Sequence, residues 1–190
     1  MAVERPILKF TTPAEVRTWF AANHETSQGV FITFAKKNSA VHTPTYDEVL
    51  DVALAFGWID SQAKGLDENY FLLTYTPRRA RSPWSQVNRE KAEAMIVAGT
   101  MKPAGLAAVE RARANGRWEA AYAGSAEFET PPDFLDELAK NPKAQAFFET
   151  LTKQNKYAVY FRLNDAKKPE TRARRSRKFV GMFERGEKFY

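Results

Sequence analysis

The sequence predicts an α+β fold: a small mixed sheet with packed helices early in the chain, followed by a helical region. Three observations carry this expectation. Strand-like runs are collected before Pro77, helix start and stop signals recur after it, and 190 residues with 14 Phe, 7 Tyr and 4 Trp can fill a core. A chain of this length buries roughly 70% of the surface it exposes when unfolded, so it needs no disulfide or metal to hold it together.

The elements follow in order. Ile7 to Phe10 reads as a short strand. Thr12 then caps a helix opened by Pro13, with Val16, Trp19 and Phe20 on one face. From Gly29 to Lys37, Val30, Ile32 and Phe34 alternate with Phe31, Thr33 and Ala35, and apolar residues on both faces mark a central strand. Thr45 and Glu48 form a capping box for a helix reaching about Phe56. Two strands, Trp58 to Ala63 and Tyr70 to Tyr75, flank a turn through Gly65 and Asp67. Helices are then expected from Ser85 to Ala98, from Pro103 to Gly116, after Thr130-Pro131, after Asn141-Pro142, from Thr152 to about Asp165, and from Pro169 onward. Tyr122 to Glu129, small and acidic, reads as a surface loop. The bend from Pro77 to Trp84 is the one candidate boundary; it separates a sheet-containing part, 1–80, from a helical part, 81–190, packed as one globular unit.

Composition excludes several kinds of chemistry. With no cysteine there is no thiol nucleophile, disulfide scaffold or Cys-ligated metal, and with His24 and His42 the only histidines, metal sites and triads have almost no ligands. No metal or cofactor is expected. No apolar run approaches the ~20 residues of a membrane span, and MAVERPILKF lacks the apolar stretch and cleavage motif of a signal peptide. The expected location is the cytoplasm. Net charge is +6, but unevenly spread: residues 78–117 carry 9 basic and 3 acidic side chains, as do residues 167–190, whereas 1–77 and 118–166 are each acidic by 3. Two basic stretches in an otherwise acidic chain point to an anionic partner or to solvated basic faces.

Three groups of residues can carry function. As a strand of period two, Trp58, Asp60, Gln62 and Lys64 share a face, where an aromatic plane, a carboxylate, an amide and an ammonium can recognise a polar ligand. The competing reading makes Trp58 a core residue and Asp60 a partner of Lys64 or a later Arg. Arg78, Arg79 and Arg81 precede Trp84 and Asn88 at a helix start, an arrangement suited to phosphate or carboxylate. Alternatively Ser82 or Ser85 caps that helix and Trp84 staples it. Arg172, Arg174, Arg175, Arg177 and Lys178 form a basic helical surface that can face lipid headgroups or nucleic acid. Without interleaved aromatics or a recognition-helix motif, nucleic acid is the less favoured of these. Phosphate-loop, dinucleotide-binding, nucleophile-elbow and zinc-protease signatures are all absent, which weighs against catalysis.

Several motifs occur in one order: Tyr46-Asp47-Glu48 before a helix, Phe56-Gly57-Trp58-Ile59-Asp60, Pro77-Arg78-Arg79, Ser82 with Trp84-Ser85 and Asn88, Gly99 with Met101 and Pro103, Gly116 with Trp118, and Ala166-Lys167 with Thr171-Arg172. Together they resemble the YdeI/OmpD-associated family, whose C-terminal helical part is known as the bacteriocin-protection domain. The resemblance spans roughly residues 12 to 188. It implies a bacterial cytoplasmic protein linked to tolerance of bacteriocins and cationic antimicrobial peptides. Direct capture of such peptides by a chain of charge +6 is opposed by like-charge repulsion. The combined expectation is a stress or resistance protein that binds an anionic small ligand through Trp58, Asp60, Gln62, Lys64, Arg78, Arg79, Trp84 and Asn88. Two alternatives stand beside it. One is an enzyme using the Trp58/Asp60/Arg79 cleft with Asp60 as general base, although nearby Lys64 or Arg side chains would lower its pKa. The other is a non-specific nucleic-acid binder using the basic stretches.

Overall fold

Strand β1 (Ile7–Leu8) is followed by α1 (Pro13–Asn23), β2 (Val30–Ala35), α2 (Tyr46–Ala55), β3 (Trp58–Gly65) and β4 (Tyr70–Pro77). Six helices complete the order: α3 (Gln86–Val97), α4 (Pro103–Ala114), α5 (Pro132–Leu138), α6 (Pro142–Glu149), α7 (Lys153–Asn164) and α8 (Pro169–Glu184). The architecture is α+β, in a computed structural model that describes residues 5–125 and 127–190. Part of the N-terminal reading (residues 1–4) and Ala126 of the predicted Tyr122–Glu129 loop lie outside the described residues.

The strands form one sheet in the order β1-β2-β4-β3, with β1 parallel to β2 and the other pairs antiparallel. At the β3–β4 turn, Asp67 Oδ1 accepts the backbone N–H groups of Asn69 and Tyr70, each at 2.8 Å, which closes the hairpin. The β2–β4 register pairs Val30 with Tyr75, Ile32 with Leu73 and Phe34 with Phe71, so these six residues share one face. Helices α1 and α2 supply Val16, Phe20, Val49, Val52 and Ala53 to the core cluster on that face, and Phe56, just after α2, joins them. Each fully buried large side chain contributes roughly 1.5–3 kcal/mol of transfer free energy, so this cluster is the main reason the sheet forms. Local signals set the helix starts. Thr12 caps α1 by accepting from Glu15 N–H, and Thr45 with Glu48 completes a reciprocal capping box on α2.

Two glycines bring α4 against the end of α2. Gly57 has φ +75, and a Cβ there would lie 2.7 Å from the Ala104 carbonyl oxygen. At Gly105 a Cβ would collide with the Ala55 carbonyl oxygen. Backbone can therefore pack on backbone, and Lys102 N–H donates to Ala55 O at 3.1 Å.

The chain divides into two compact units. One takes the chain up to Ser82 together with Asn88–Glu119; the other takes Pro83–Val87 with Ala120–Tyr190. The division differs from the expected boundary after residue 80, because α4 and α3 from Asn88 onward belong with the sheet. In the second unit α8 packs against α5, α6 and α7 around Phe134, Leu138, Phe148, Val159, Leu163 and Phe183.

Candidate functional site

The first sequence-predicted group lies on β3, where the register shifts. Trp58 pairs with Pro77, Ile59 with Thr76 and Asp60 with Tyr75, but the next pairs are Ala63 with Leu73 and Lys64 with Leu72. Ser61 and Gln62 together oppose Thr74, a β-bulge of one extra residue. Beyond the bulge the alternation inverts. Asp60 shares a face with Trp58 and Tyr75, while Lys64 falls on the opposite face, so the predicted row of four does not form.

Trp58 is a core residue, 1% exposed. Its Nε1–H donates to the His24 carbonyl at 3.3 Å, and Trp19 and Phe20 meet its ring edge-on at centroid distances of 6.0 and 5.3 Å. No face of this indole is left for a ligand. Asp60 is half-buried, and the Tyr46 hydroxyl donates to its Oδ2 at 3.3 Å. Burial pushes the Asp60 carboxyl above its ordinary value, outweighing the lowering by the Tyr46 hydrogen bond and the Arg78 charge. Arg78 lowers this pKa as the sequence anticipates, but burial outweighs it, and the bulge turns Lys64 to the opposite face. Tyr75, opposite Asp60, is fully buried; its hydroxyl has no hydrogen-bond partner among the described residues, and burial raises its pKa far above the ordinary phenol value.

The second group is also dispersed. Arg78 is 5% exposed, and its backbone N–H donates to Gly57 O at 2.9 Å. Arg79 is exposed and sits in a tight turn, its N–H donating to Ser82 Oγ at 2.9 Å, so this hydroxyl serves the turn before α3. Trp84 and Asn88 are buried, at 2% and 8% exposure, and fall in different compact units. Trp84 is fixed by a short backbone ladder in which Tyr122 N–H donates to Trp84 O and Gln86 N–H to Tyr122 O. Gln62 and Lys64 remain exposed on β3. Of the eight residues, the structure groups only Trp58 and Asp60 on one face near Arg78, and it buries both indoles.

The third group, on α8, is split by its ion pairs. Arg172 binds Asp133 through its Nε–H and Nη2–H, at 2.6 and 2.7 Å, and that hydrogen bonding holds the Asp133 carboxyl below its ordinary value. Arg175 donates to the Arg162 carbonyl and lies 3.5 Å from Asp165. Arg174, Arg177 and Lys178 are exposed.

Beside α7 and α8 this basic surface borders a groove of ≈ 470 Å³. Its floor is apolar, made by Phe161, Phe179, Met182 and Phe189. Arg162, Arg175 and Lys178 stand around it with one acid, Asp165, beside Arg175. The C-terminal residues that close the groove are pinned by Asn155, 3% exposed, whose Oδ1 accepts the N–H groups of Phe189 and Tyr190 at 3.0 and 3.2 Å. Arg162 lies over the Phe189 ring at 4.4 Å and donates to the Ala158 carbonyl at 3.1 Å. Sequence reasoning found Arg175 and Lys178 but missed Asn155, Arg162 and Phe189. The available signal was the spacing of Asn155 and Arg162, seven residues apart and hence on one helix face.

Among the described residues, no group of three or more His, Cys, Asp or Glu is placed to hold a metal ion, and no helix is long and apolar enough to cross a membrane. No curated protein and no solved structure matches the chain. Residues 127–186 match the family described as bacteriocin-protection, YdeI or OmpD-associated, the resemblance read from the sequence motifs. Residues 8–108, just over half of the chain, match the family described as domain of unknown function (DUF8412). The chain therefore belongs to the DUF8412 family through its sheet-bearing part and carries a YdeI/OmpD-associated segment in its C-terminal helices.

Proposed function

We propose that the protein contributes to bacteriocin protection by binding an anionic amphiphile, an acidic head on an apolar body, in the groove beside α7 and α8. The observation that carries this reading is an aromatic floor with three cations and one acid around it, inside a unit whose α7 and α8 lie within the segment matching the bacteriocin-protection family. An apolar body would cover Phe161, Phe179 and Met182, and an acidic head would meet Lys178 and the guanidinium groups. A volume of ≈ 470 Å³ lies within the roughly 300–1,000 Å³ typical of small-ligand sites. The anionic-ligand expectation is kept, but its location moves from the dispersed Trp58 group to α8.

The test is calorimetric titration with dodecyl phosphate and with neutral dodecyl maltoside. Dodecyl phosphate is expected to bind, more weakly as salt is raised, and Lys178→Glu is expected to lower its affinity at least about tenfold, since a hydrogen-bonded charge contributes about 1.5–3 kcal/mol. Equal binding of the neutral detergent, or no effect of Lys178→Glu, would sink the proposal. A bacteriocin-sensitive bacterial strain expressing the chain should survive a dose that kills cells expressing the Lys178→Glu variant.

A further inference from the structure

The sheet-bearing unit holds a larger cleft, ≈ 720 Å³, framed by α1, α2 and the turn from α3 into α4. Its floor is apolar: Val52 and Phe56 are buried, and Ala55 and Met95 half-buried. One wall is fixed in place. Lys102 N–H is tied to Ala55 O, and the close approach at Gly57 and Gly105 locks the start of α4 onto the end of α2.

Both signs of charge stand over this floor. Arg17 and Lys102 are exposed, and their side chains make no hydrogen bond or ion pair with any described residue. Glu48 and Asp51 also line the cleft, and each commits one oxygen internally. Glu48 Oε2 accepts Thr45 N–H at 2.8 Å and Thr45 Oγ1–H at 2.9 Å, while Asp51 Oδ1 takes Lys91 Nζ at 2.7 Å. Glu48 Oε1 and Asp51 Oδ2 have no partner among the described residues. The hydrogen bonds from Thr45 also hold the Glu48 carboxyl below its ordinary value, so it is ionised at neutral pH.

An apolar floor with two cations held in no hydrogen bond or ion pair among the described residues, Arg17 acting on Glu48 through its charge alone, and two carboxylate oxygens to spare complements a zwitterion with an apolar body. The volume exceeds a free amino acid's, and four apolar side chains have to be covered. We propose that this cleft takes a short apolar peptide of two or three residues with free termini, its carboxylate on Arg17 and Lys102 and its ammonium on Asp51 and Glu48. The site is independent of the α7–α8 groove and has a different ligand.

The experiment is calorimetric titration of the full chain with trileucine, trileucine amide and N-acetyl-trileucine. Trileucine is expected to bind, and capping either end to weaken binding about tenfold or more, as loss of a hydrogen bond to a charged group does. The double variant Arg17→Ala, Lys102→Ala should bind trileucine and trileucine amide alike, with its melting temperature little changed, because among the described residues neither side chain makes a hydrogen bond or ion pair and Arg17 acts on Glu48 only through its charge. Lys178→Glu should leave trileucine binding intact, which separates this proposal from the one for α7 and α8. Absence of trileucine binding at millimolar concentration, equal binding of the capped peptides, or a carboxylate preference that survives the double variant would overturn it.

Discussion

Asp60 shows how one residue's environment is decided by its neighbours' register. The carboxyl lies on the core-facing side of β3, beside Tyr75 and under the Tyr46 hydroxyl, and burial raises its pKa. A carboxyl raised on folding is penalised in its ionised form. That penalty is fully present above the folded pKa, shrinks as pH falls through it, and is gone below the unfolded value of about 3.9. Asp60→Asn is therefore expected to stabilise the protein near pH 7, with the gain fading as the medium is acidified through the raised pKa. Urea denaturation of both proteins from neutral pH down to about pH 3.5 reads this directly; a variant less stable at pH 7 would show that the ionised carboxylate is compensated by Tyr46 and Arg78. The sequence placed Trp58 and Asp60 on one face, as the structure does. It gave no sign that Lys64 leaves that face, because the bulge at Ser61-Gln62 contains no glycine to mark an extra residue. Nor does residue type tell an indole available to a ligand from one packed against Phe20, which is what decides the fate of Trp58.

At the scale of elements, the helices were legible because their start signals are local chemistry. Thr12 before Pro13, Asn141 before Pro142 and Thr152 before α7 each cap the helix that the sequence assigned to them, and every such hydrogen bond lies within three residues of its donor. The α2 box is the most complete, with Thr45 and Glu48 exchanging bonds in both directions. Thr45→Ala should cost about 1 kcal/mol, the usual worth of a side-chain cap, by thermal or urea denaturation. It should also raise the Glu48 pKa part of the way toward its ordinary value, since it removes the hydroxyl hydrogen bond but leaves the larger lowering by the Thr45 backbone N–H. An NMR titration in which the Glu48 pKa does not move at all in the variant would contradict the hydroxyl's part in lowering it. Interactions far apart in sequence were not legible. The clamp of α4 onto α2 depends on Gly57 and Gly105, which meet backbone about fifty residues away along the chain. The α7–α8 groove depends on an asparagine reaching residues 34 and 35 positions away. Both involve distant backbone groups, for which neither periodicity nor composition carries a signal.

At the scale of the molecule the described residues form two core clusters, and two family matches fall on either side of the same stretch of chain. One match covers residues 8–108 and the other 127–186, while the compact units exchange the chain between Glu119 and Ala120. The first core draws on α1, α2 and the sheet; the second is assembled on α8, with Phe183 meeting Phe134, Phe147 and Phe148 at centroid distances of 6.4, 6.3 and 5.7 Å. A core of this kind loses about 3–5 kcal/mol when a buried phenylalanine is cut to alanine, through lost transfer free energy and the cavity left behind. Because the Phe183 ring contacts lie in the second cluster, the loss should be felt first in the opening of that unit. Native-state hydrogen exchange of Phe183→Ala is therefore expected to show reduced protection of amides in α5, α6, α7 and α8, with β2 and β4 amides close to wild type. Phe20→Ala, in the first cluster, should give the converse pattern. If either substitution lowers protection equally throughout the chain, the two cores unfold as one cooperative unit, and the division marked by the two family matches has no counterpart in stability.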